Sequence, residues 1–514
     1  MVGVPGKSKG CNTCRKRKIS CDGDRPSCAR CTKSNRICGG YQRERHFKNL
    51  SALDRDTLLT RTQPLASLTD LLAINTGSDY SLTTCSTSEE DGTPNSNRQM
   101  LPSIRPPRPP DSFVSFINNY IPREEGNLHI EHRSQVSWLQ AIDPSQEYGA
   151  SLDLAISALS LVSLGRKHGD VELRREGRAS YGRALRQLQD ILSQNRLLFE
   201  EQTLASCMAL YTFELLEVSG EDTTGWVSHA EGIARLIQLR GPESHVVGLS
   251  HRLFLGFRST GITHALATRK STYLAHQDWL TVPWKMQPKS DFDKLLDIMA
   301  QIAILIEKAR GLKMTLASEI PHVESMALVQ QGWDFYSQLD EWYQGIIQKH
   351  NEPLYYEQPG STQFVSAAGC VFPTSLHFAN FEIARLHVSY WSILLFLFDR
   401  VLTIPVSSLS NFDESFNFVT SVVNIFTHRQ ALELARLIAR SMDYLLSEDK
   451  HILGPQKVFF PLRTAMHVFA STDKDQELAW CQNIFEELDR RGYPFGKILA
   501  RCEWDDIPAL LSGN

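Results

Sequence analysis

The chain has 514 residues, of which 42% are hydrophobic and 22% charged, a balance that excludes a wholly disordered polymer and provides enough apolar material for sizeable cores. Single cores stop growing near roughly 250 to 300 residues, so several modules are expected. The net charge of -4 conceals an asymmetry: residues 1–50 hold 13 Lys and Arg against 3 Asp and Glu, leaving 41 against 55 in the remainder. A basic head on an acidic body is the footprint of a nucleic-acid-binding terminus, because polyanion binding is driven by phosphate neutralisation and counterion release.

The opening residues MVGVPGKSKG lack the apolar core of an export signal, so the cysteines are expected to sit in a reducing compartment, as thiols or metal ligands. The longest apolar run, Val388 to Phe398, is interrupted by Ser389 and Ser392. It falls short of the roughly 18 to 20 residues that span a bilayer, so no membrane partner is expected.

In chain order, the first element is a cysteine cluster. Six of the 11 cysteines are spaced Cys11-x2-Cys14-x6-Cys21-x6-Cys28-x2-Cys31-x6-Cys38, two copies of one C-x2-C-x6-C unit. Each unit opens with the pair that lets two thiolates at the first turn of a helix reach one ion. Six sulfurs give two zinc ions four ligands each only if two sulfurs are shared, and the first cysteine of each half, Cys11 and Cys28, is placed to bridge. Disulfides conflict with the compartment and chance with the exact repeat; an iron–sulfur centre is the remaining rival to zinc. Ile19 and Ile37 are the main aliphatic residues of the segment, so its folding is expected to depend on metal.

Residues 42–111 are rich in Ser, Thr, Asn and Gly and end in Arg105-Pro-Pro-Arg-Pro-Pro110, which reads as a disordered linker closing in extended polyproline II. From Asp111, read as an N-cap ahead of Phe113, Phe116 and Ile117, the pattern becomes helical. Leu152, Ala155, Ile156, Leu159 and Val162 follow the 3.6 period, as do Leu434, Leu437, Ile438, Met442 and Leu445. Tyr181, Ala184, Leu185 and Leu188, then Leu204, Met208 and Tyr211, predict two more helices. Phe418 to Phe426 is β-branched enough for a strand, but no alternating βα pattern occurs. The expected fold is mainly all-α over 112–514.

At this point the segment over 9–41 resembles the fungal binuclear zinc cluster DNA-binding domain: it has all six cysteines, Pro26 between the halves, and the basic run Arg15-Lys16-Arg17-Lys18. The resemblance implies two zinc ions, a first helix in the major groove of double-stranded DNA, and readout of a CGG triplet by the last basic residues before the third cysteine. Those are Arg17 and Lys18, with Lys9, Arg15 and Lys16 on phosphates. The division fits the chemistry, since Arg and Lys donate to guanine O6 and N7 whereas phosphate contacts carry no sequence information. The basic run also reads as a nuclear localisation signal.

The helical part resembles the fungal-specific transcription factor regulatory domain. The resemblance rests on Trp226-x2-His229-x2-Gly232, Arg240-Gly241-Pro242, Trp279, Pro283-Trp284 and Arg491-Gly492-Tyr493-Pro494. It implies a nuclear regulator of RNA polymerase II genes in a metabolic or secondary-metabolite pathway, whose helical scaffold responds to an effector or partner.

Dimerisation is left open by the sequence. Leu58, Leu65 and Leu72 are interrupted by Pro64, while Leu295, Met299, Ile302, Ile306 and Ala309 form a heptad-like stripe that fits either a homodimer seam or a core-facing surface. The C-terminal Glu503 to Leu511 fits either a coactivator-docking activation segment or a packed tail. An enzyme lacks support: Gly6-Lys7-Ser8 is not a complete phosphate loop, G-x-G-x-x-G, H-E-x-x-H and G-x-S-x-G are absent, and His129-x2-His132 has no third ligand nearby in sequence. A zinc or redox sensor would keep the cysteines but would not need the basic run.

Overall fold

The computed structural model describes residues 11–17, 19–24, 27–34, 36, 38, 109–122, 136–143, 145–193, 199–217, 224–314, 322–350, 352–360, 371–402 and 428–511. The chain divides into two compact units, an N-terminal one and a large helical one. In the first, helices α1 (Asn12–Lys16) and α2 (Ala29–Lys33) each follow the first cysteine of a half-repeat.

The helical unit begins with α3 (Pro109–Tyr120). This corrects two expectations: Asp111 lies inside the first turn, and the last two prolines of the supposed extended run open the helix. Proline lacks only an N–H that the first turn leaves unpaired, and its fixed φ suits helix entry. Phe113 and Phe116 lie on this helix and are buried.

Helices α4 (Ala150–His168), α5 (Val171–Ser193), α6 (Glu201–Glu217) and α7 (Thr224–Arg240) follow. The α4 helix buries Leu152, Ala155, Leu159 and Val162 and stops where Gly169 takes the left-handed φ of 66°. Glycine adopts that cap without a Cβ penalty. Close packing on α5 is permitted by Gly177, where a Cβ would meet Val162 Cγ2 at 2.7 Å.

Next come α8 (Gly248–Thr268), α9 (Asp291–Met314) and α10 (His322–Lys349). The stripe Leu295, Met299, Ile302, Ile306 and Ala309 is buried within this unit, at 0–3% exposure. It is a core surface and does not serve as a dimer seam. The α8 and α9 helices are tied by Arg258, 1% exposed, which donates to the Asp293 carbonyl at 2.9 Å, pairs with Asp293 and Asp297, and lies 5.1 Å from the Trp284 ring centroid.

A two-stranded antiparallel hairpin, β1 (Tyr355–Pro359) and β2 (Thr374–Phe378), pairs Tyr355 with Phe378 and Pro359 with Thr374. The sequence reading missed it because each strand is short and lacks clean alternation. The strand suspected at 418–426 lies outside the described residues, as do Leu58, Leu65 and Leu72.

Helix α11 (Phe381–Leu397) is mostly apolar and buried on nearly every side, with Glu382 and Ser389 half-buried. Among the described residues, it and its continuation to Val401 form one segment long and apolar enough to cross a membrane, yet 83% of that window is buried among the other helices. A helix with no polar face belongs inside a large core. The remaining helices α12 (His428–Arg440), α13 (Phe459–Ser471), α14 (Asp475–Arg490) and α15 (Phe495–Arg501) pack around it or on each other. The predicted stripe over Leu434 to Leu445 is split: α12 ends at Arg440 and a separate turn, Met442–Leu445, carries the last two residues.

The C-terminal segment is a packed tail. Trp504 stacks on His467 with ring centroids 4.7 Å apart, Asp505 pairs with Arg269 at 2.6 Å, and Ile507 and Leu511 are 5% exposed. The Arg491-Gly492-Tyr493 motif is held by Arg166 of α4, which donates to the Arg491 and Gly492 carbonyls at 3.0 and 2.8 Å and to Leu216 O, and lies 5.6 Å from the Tyr493 ring centroid. A Cβ on Gly492, whose φ is 87°, would overlap the Arg166 guanidinium. Gly492→Ala is therefore expected to destabilise the unit by about 2 kcal/mol, read from denaturant unfolding.

Burial pushes His229, His245 and His387 down to about 4 from 6.5. The unfolded chain then takes up protons first, so this stability is complete above the ordinary histidine range and is lost as pH falls from 6.5 towards 4. The melting temperature followed from neutral pH downwards should decline across that window.

Candidate metal centre and nucleic-acid interface

Among its described residues the cluster has no apolar core in the usual sense. Ile19 is 37% exposed, while Cys11, Cys14, Cys28 and Cys31 are fully buried against one another. The two half-repeats have matching local geometry: the Cys14 amide donates to Cys11 Sγ at 3.4 Å, and the Cys31 amide donates to Cys28 Sγ at 3.3 Å. In each half, the first cysteine sits at the entrance to a short helix and its sulfur accepts from a first-turn N–H.

The sulfurs fall into two sets of four, Cys11, Cys14, Cys21, Cys28 and Cys11, Cys28, Cys31, Cys38, with all sulfurs of a set within 4.8 Å. The shared pair, Cys11 and Cys28, has its sulfurs 3.6 Å apart, and Cys14 to Cys28 and Cys11 to Cys31 measure 3.7 and 3.8 Å. Tetrahedral zinc with Zn–S bonds of about 2.3 Å requires sulfurs about 3.8 Å apart, whereas a disulfide requires about 2.05 Å. The donor set therefore fits a thiolate metal centre. Burial raises the Cys14 thiol to about 12 and pushes Cys28 higher still; direct coordination to a divalent cation reverses that preference, because a coordinating thiol is deprotonated.

Asp22 was not anticipated from the sequence. Its carboxylate accepts from the backbone amides of Asp24, Ala29 and Arg30 at 3.2, 3.0 and 3.0 Å, tying the loop between the halves to the start of α2. Desolvation works to raise its pKa, but the N–H donors of Asp24, Arg30 and Ala29 outweigh it and hold the carboxyl below its ordinary range. The signal was readable in principle, since an Asp ahead of a short helix is a common acceptor for unpaired first-turn N–H groups.

Of the predicted DNA contacts, Arg15 and Lys16 lie on α1 and Arg17 in the turn after it, with Lys16 and Arg17 exposed. Arg17 Nη1 is 3.5 Å from Ser34 Oγ, a long contact that leaves most of its donors open. Lys9, Lys18 and the loop Pro26 lie outside the described residues, as does the Arg15 side chain. His129 and His132 are outside them too.

The weaker motifs of the helical unit are packing features. His229 is buried, with its Nε2 3.2 Å from the Tyr181 hydroxyl, which donates to Glu214. Arg240 donates to Ser250 Oγ at 2.6 Å and to Phe199 O. Trp279 sits in an aromatic cluster with Tyr273, His245 and Phe254.

Comparison with known proteins places both units. Residues 9–46 match the fungal Zn(2)-Cys(6) binuclear cluster domain, and residues 133–493, over two thirds of the chain, match the fungal specific transcription factor domain. The chain belongs to the Zn(2)-Cys(6) fungal transcription factors. Members of this family are zinc-binding, DNA-binding transcription regulators, the class that the cysteine cluster and basic run pointed to.

Among similar proteins, an uncharacterized protein of Emericella nidulans is 32% identical over 150 residues, 29% of this chain and 32% of its own. The aspercryptin biosynthesis cluster-specific transcription regulator atnN of the same organism is 51% identical over 39 residues, 7% of this chain and 6% of its own. Arginine metabolism regulation protein II of Saccharomyces cerevisiae is 62% identical over 32 residues, 6% of this chain and 4% of its own. The matched segments thus span about a third or less of these relatives. No solved structure matches the chain.

Because sulfur contacts replace an apolar core, metal removal should unfold residues 11–38 and leave the helical unit intact. Full-length protein treated with a zinc chelator is expected to become protease-sensitive within that segment while its far-UV helical signal is unchanged.

Proposed function

We propose that this regulator, which is not an enzyme, holds two zinc ions through Cys11, Cys14, Cys21, Cys28, Cys31 and Cys38, bridged by Cys11 and Cys28, and reads CGG-type triplets in the DNA major groove. The observation that carries this reading is the grouping of the six sulfurs into two sets of four that share one pair. Two zincs and six thiolates carry a formal charge of −2, and the surrounding Arg and Lys offset it. Within the region 9–41, Arg17 and Lys18 read bases and Lys9, Arg15 and Lys16 bind phosphates. The exposed position of Arg17 just beyond α1 supports its part, and bidentate donation to guanine O6 and N7 supplies the chemistry.

The protein acts in the nucleus on RNA polymerase II genes of a metabolic or secondary-metabolite pathway. The names of two similar regulators, one of aspercryptin biosynthesis and one of arginine metabolism, support that employment. The linker proposed over 42–111 gives up its last three residues to α3. If the protein binds as a homodimer, its seam lies away from the buried Leu295 stripe; if it docks a coactivator, it does so through a surface other than the packed side of Trp504 and Leu511.

Selection of bound sites from random DNA by the zinc-loaded full-length protein tests the reading. A single enriched CGG triplet indicates a monomeric reader, and two triplets at fixed spacing indicate a dimer. No enrichment by protein carrying two zincs overturns it. Replacing Arg17 and Lys18 together by Ala should retain zinc and cost about 1 to 3 kcal/mol of site discrimination per base contact, whereas Lys16→Ala should weaken all sequences alike and lower the salt slope by about one.

A further inference from the structure

The helical unit encloses a cavity of about 220 Å³ bounded by α6, α8, α9, α11 and α13, with Trp138, Phe257, Phe292 and Phe396 on its apolar wall. Its ionisable lining carries one sign of charge. Arg269, Arg385, Lys457 and Arg463 all face it, and no Asp or Glu does.

Arg269 is engaged by the Trp504 carbonyl and the Asp505 carboxylate, whereas the others are under-partnered. Arg385 is 3% exposed; it pairs with Glu382 and lies 3.6 Å from the Phe292 ring centroid, but its Nε and Nη1 have no hydrogen-bond partner. Arg463, 5% exposed, donates from Nη2 to the Cys502 carbonyl at 2.6 Å and leaves Nε unpaired. Gln456 accepts from the Tyr120 hydroxyl at 2.8 Å, and its amide nitrogen has no acceptor.

Beside them, no described residue accepts from the Lys457 ammonium, and burial, aided by the Arg385 charge and opposed by Glu382, pulls its pKa down to about 7. Buried donors on charged groups without acceptors are costly, and several around one cavity mark the place of a missing acceptor.

We propose that this chamber binds a small organic anion, its carboxylate head held by Arg385, Lys457 and Arg463 and its apolar body against the aromatic wall. A carboxylate brings acceptor oxygens with about four lone-pair sites to a space whose lining supplies donors and no carboxylate of its own. The lining combines a predominantly apolar wall with a few convergent polar groups, which is the usual composition of a small-molecule site. Through Arg463, Trp504 and Leu511, the same chamber touches the C-terminal tail, so occupancy bears on how that tail is held. The assignment rests on the regulator reading only for its effect on transcription; binding is tested without DNA, so failure of one is distinguishable from failure of the other.

The experiment titrates zinc-loaded full-length protein with decanoate, with decanol and with inorganic phosphate, following the fluorescence of the lining tryptophans, and repeats this for Lys457→Met and Arg463→Met. Decanoate should bind saturably, roughly ten-fold or more tighter than decanol or phosphate, the size of one charge-assisted hydrogen bond. Lys457→Met removes a half-buried amine from which no described residue accepts, and it should bring decanoate to parity with decanol. Equal binding of decanoate and decanol by the unaltered protein, phosphate binding as tight as decanoate, no saturable binding, or a decanoate preference that survives both substitutions would overturn the proposal. Should a variant fail to fold, the three-ligand comparison on the unaltered protein decides alone.

Discussion

The helical unit is organised by the burial of α11, a helix with no polar face. From Phe381 to Leu397, nearly every position is enclosed, including Arg385 and His387. A helix of that composition is stable only when others cover it on all sides. The hairpin, α12 and α13 pack on it, and its C-terminal extension reaches α9 and α10. Arg385, His387 and Ser392 are polar side chains carried inside by this arrangement. His387 donates through Nδ1 to its own helix at the Ile383 carbonyl, 2.7 Å away, and Arg385 is left with open donors beside the chamber.

The N-terminal unit solves the opposite problem, having almost no apolar surface to bury. Its interior is sulfur, and the order comes from the exact repetition of one spacing. Backbone amides at the two helix entrances point at Cys11 and Cys28, the two sulfurs common to both sets. The folding information of this unit is therefore contained in six positions and a loop carboxylate, while the exposed residues between them are free to serve recognition.

That contrast explains what was legible from sequence. The cysteine spacing needed no tertiary context, because ligand geometry is a local constraint, and the all-α character followed from periodic stripes such as Leu152 to Val162. The Leu295 stripe had the same periodicity whether its partner was another chain or another helix, so the pattern alone could not choose. Pro109 and Pro110 read as extended because composition does not show where a helix begins. The short strands at 355–359 and 374–378 gave too few residues for a period. The chamber was invisible for a different reason: Arg385, Lys457 and Arg463 come from separate segments, and in sequence each reads as an isolated surface cation.

Arg166 joins α4 to carbonyls of Arg491 and Gly492, partners separated from it by 325 and 326 residues. During synthesis at about 5 to 20 residues per second, these two acceptors emerge roughly a quarter of a minute to a minute after that guanidinium, well after its nearer partner, the Leu216 carbonyl. Over this interval α4 and its neighbours form an incomplete assembly, with the surfaces destined for α14 and the tail still open to solvent. Residues made long after α4 thus help to close the fold, and the length of that vulnerable period is a direct result of where one arginine finds its hydrogen bonds.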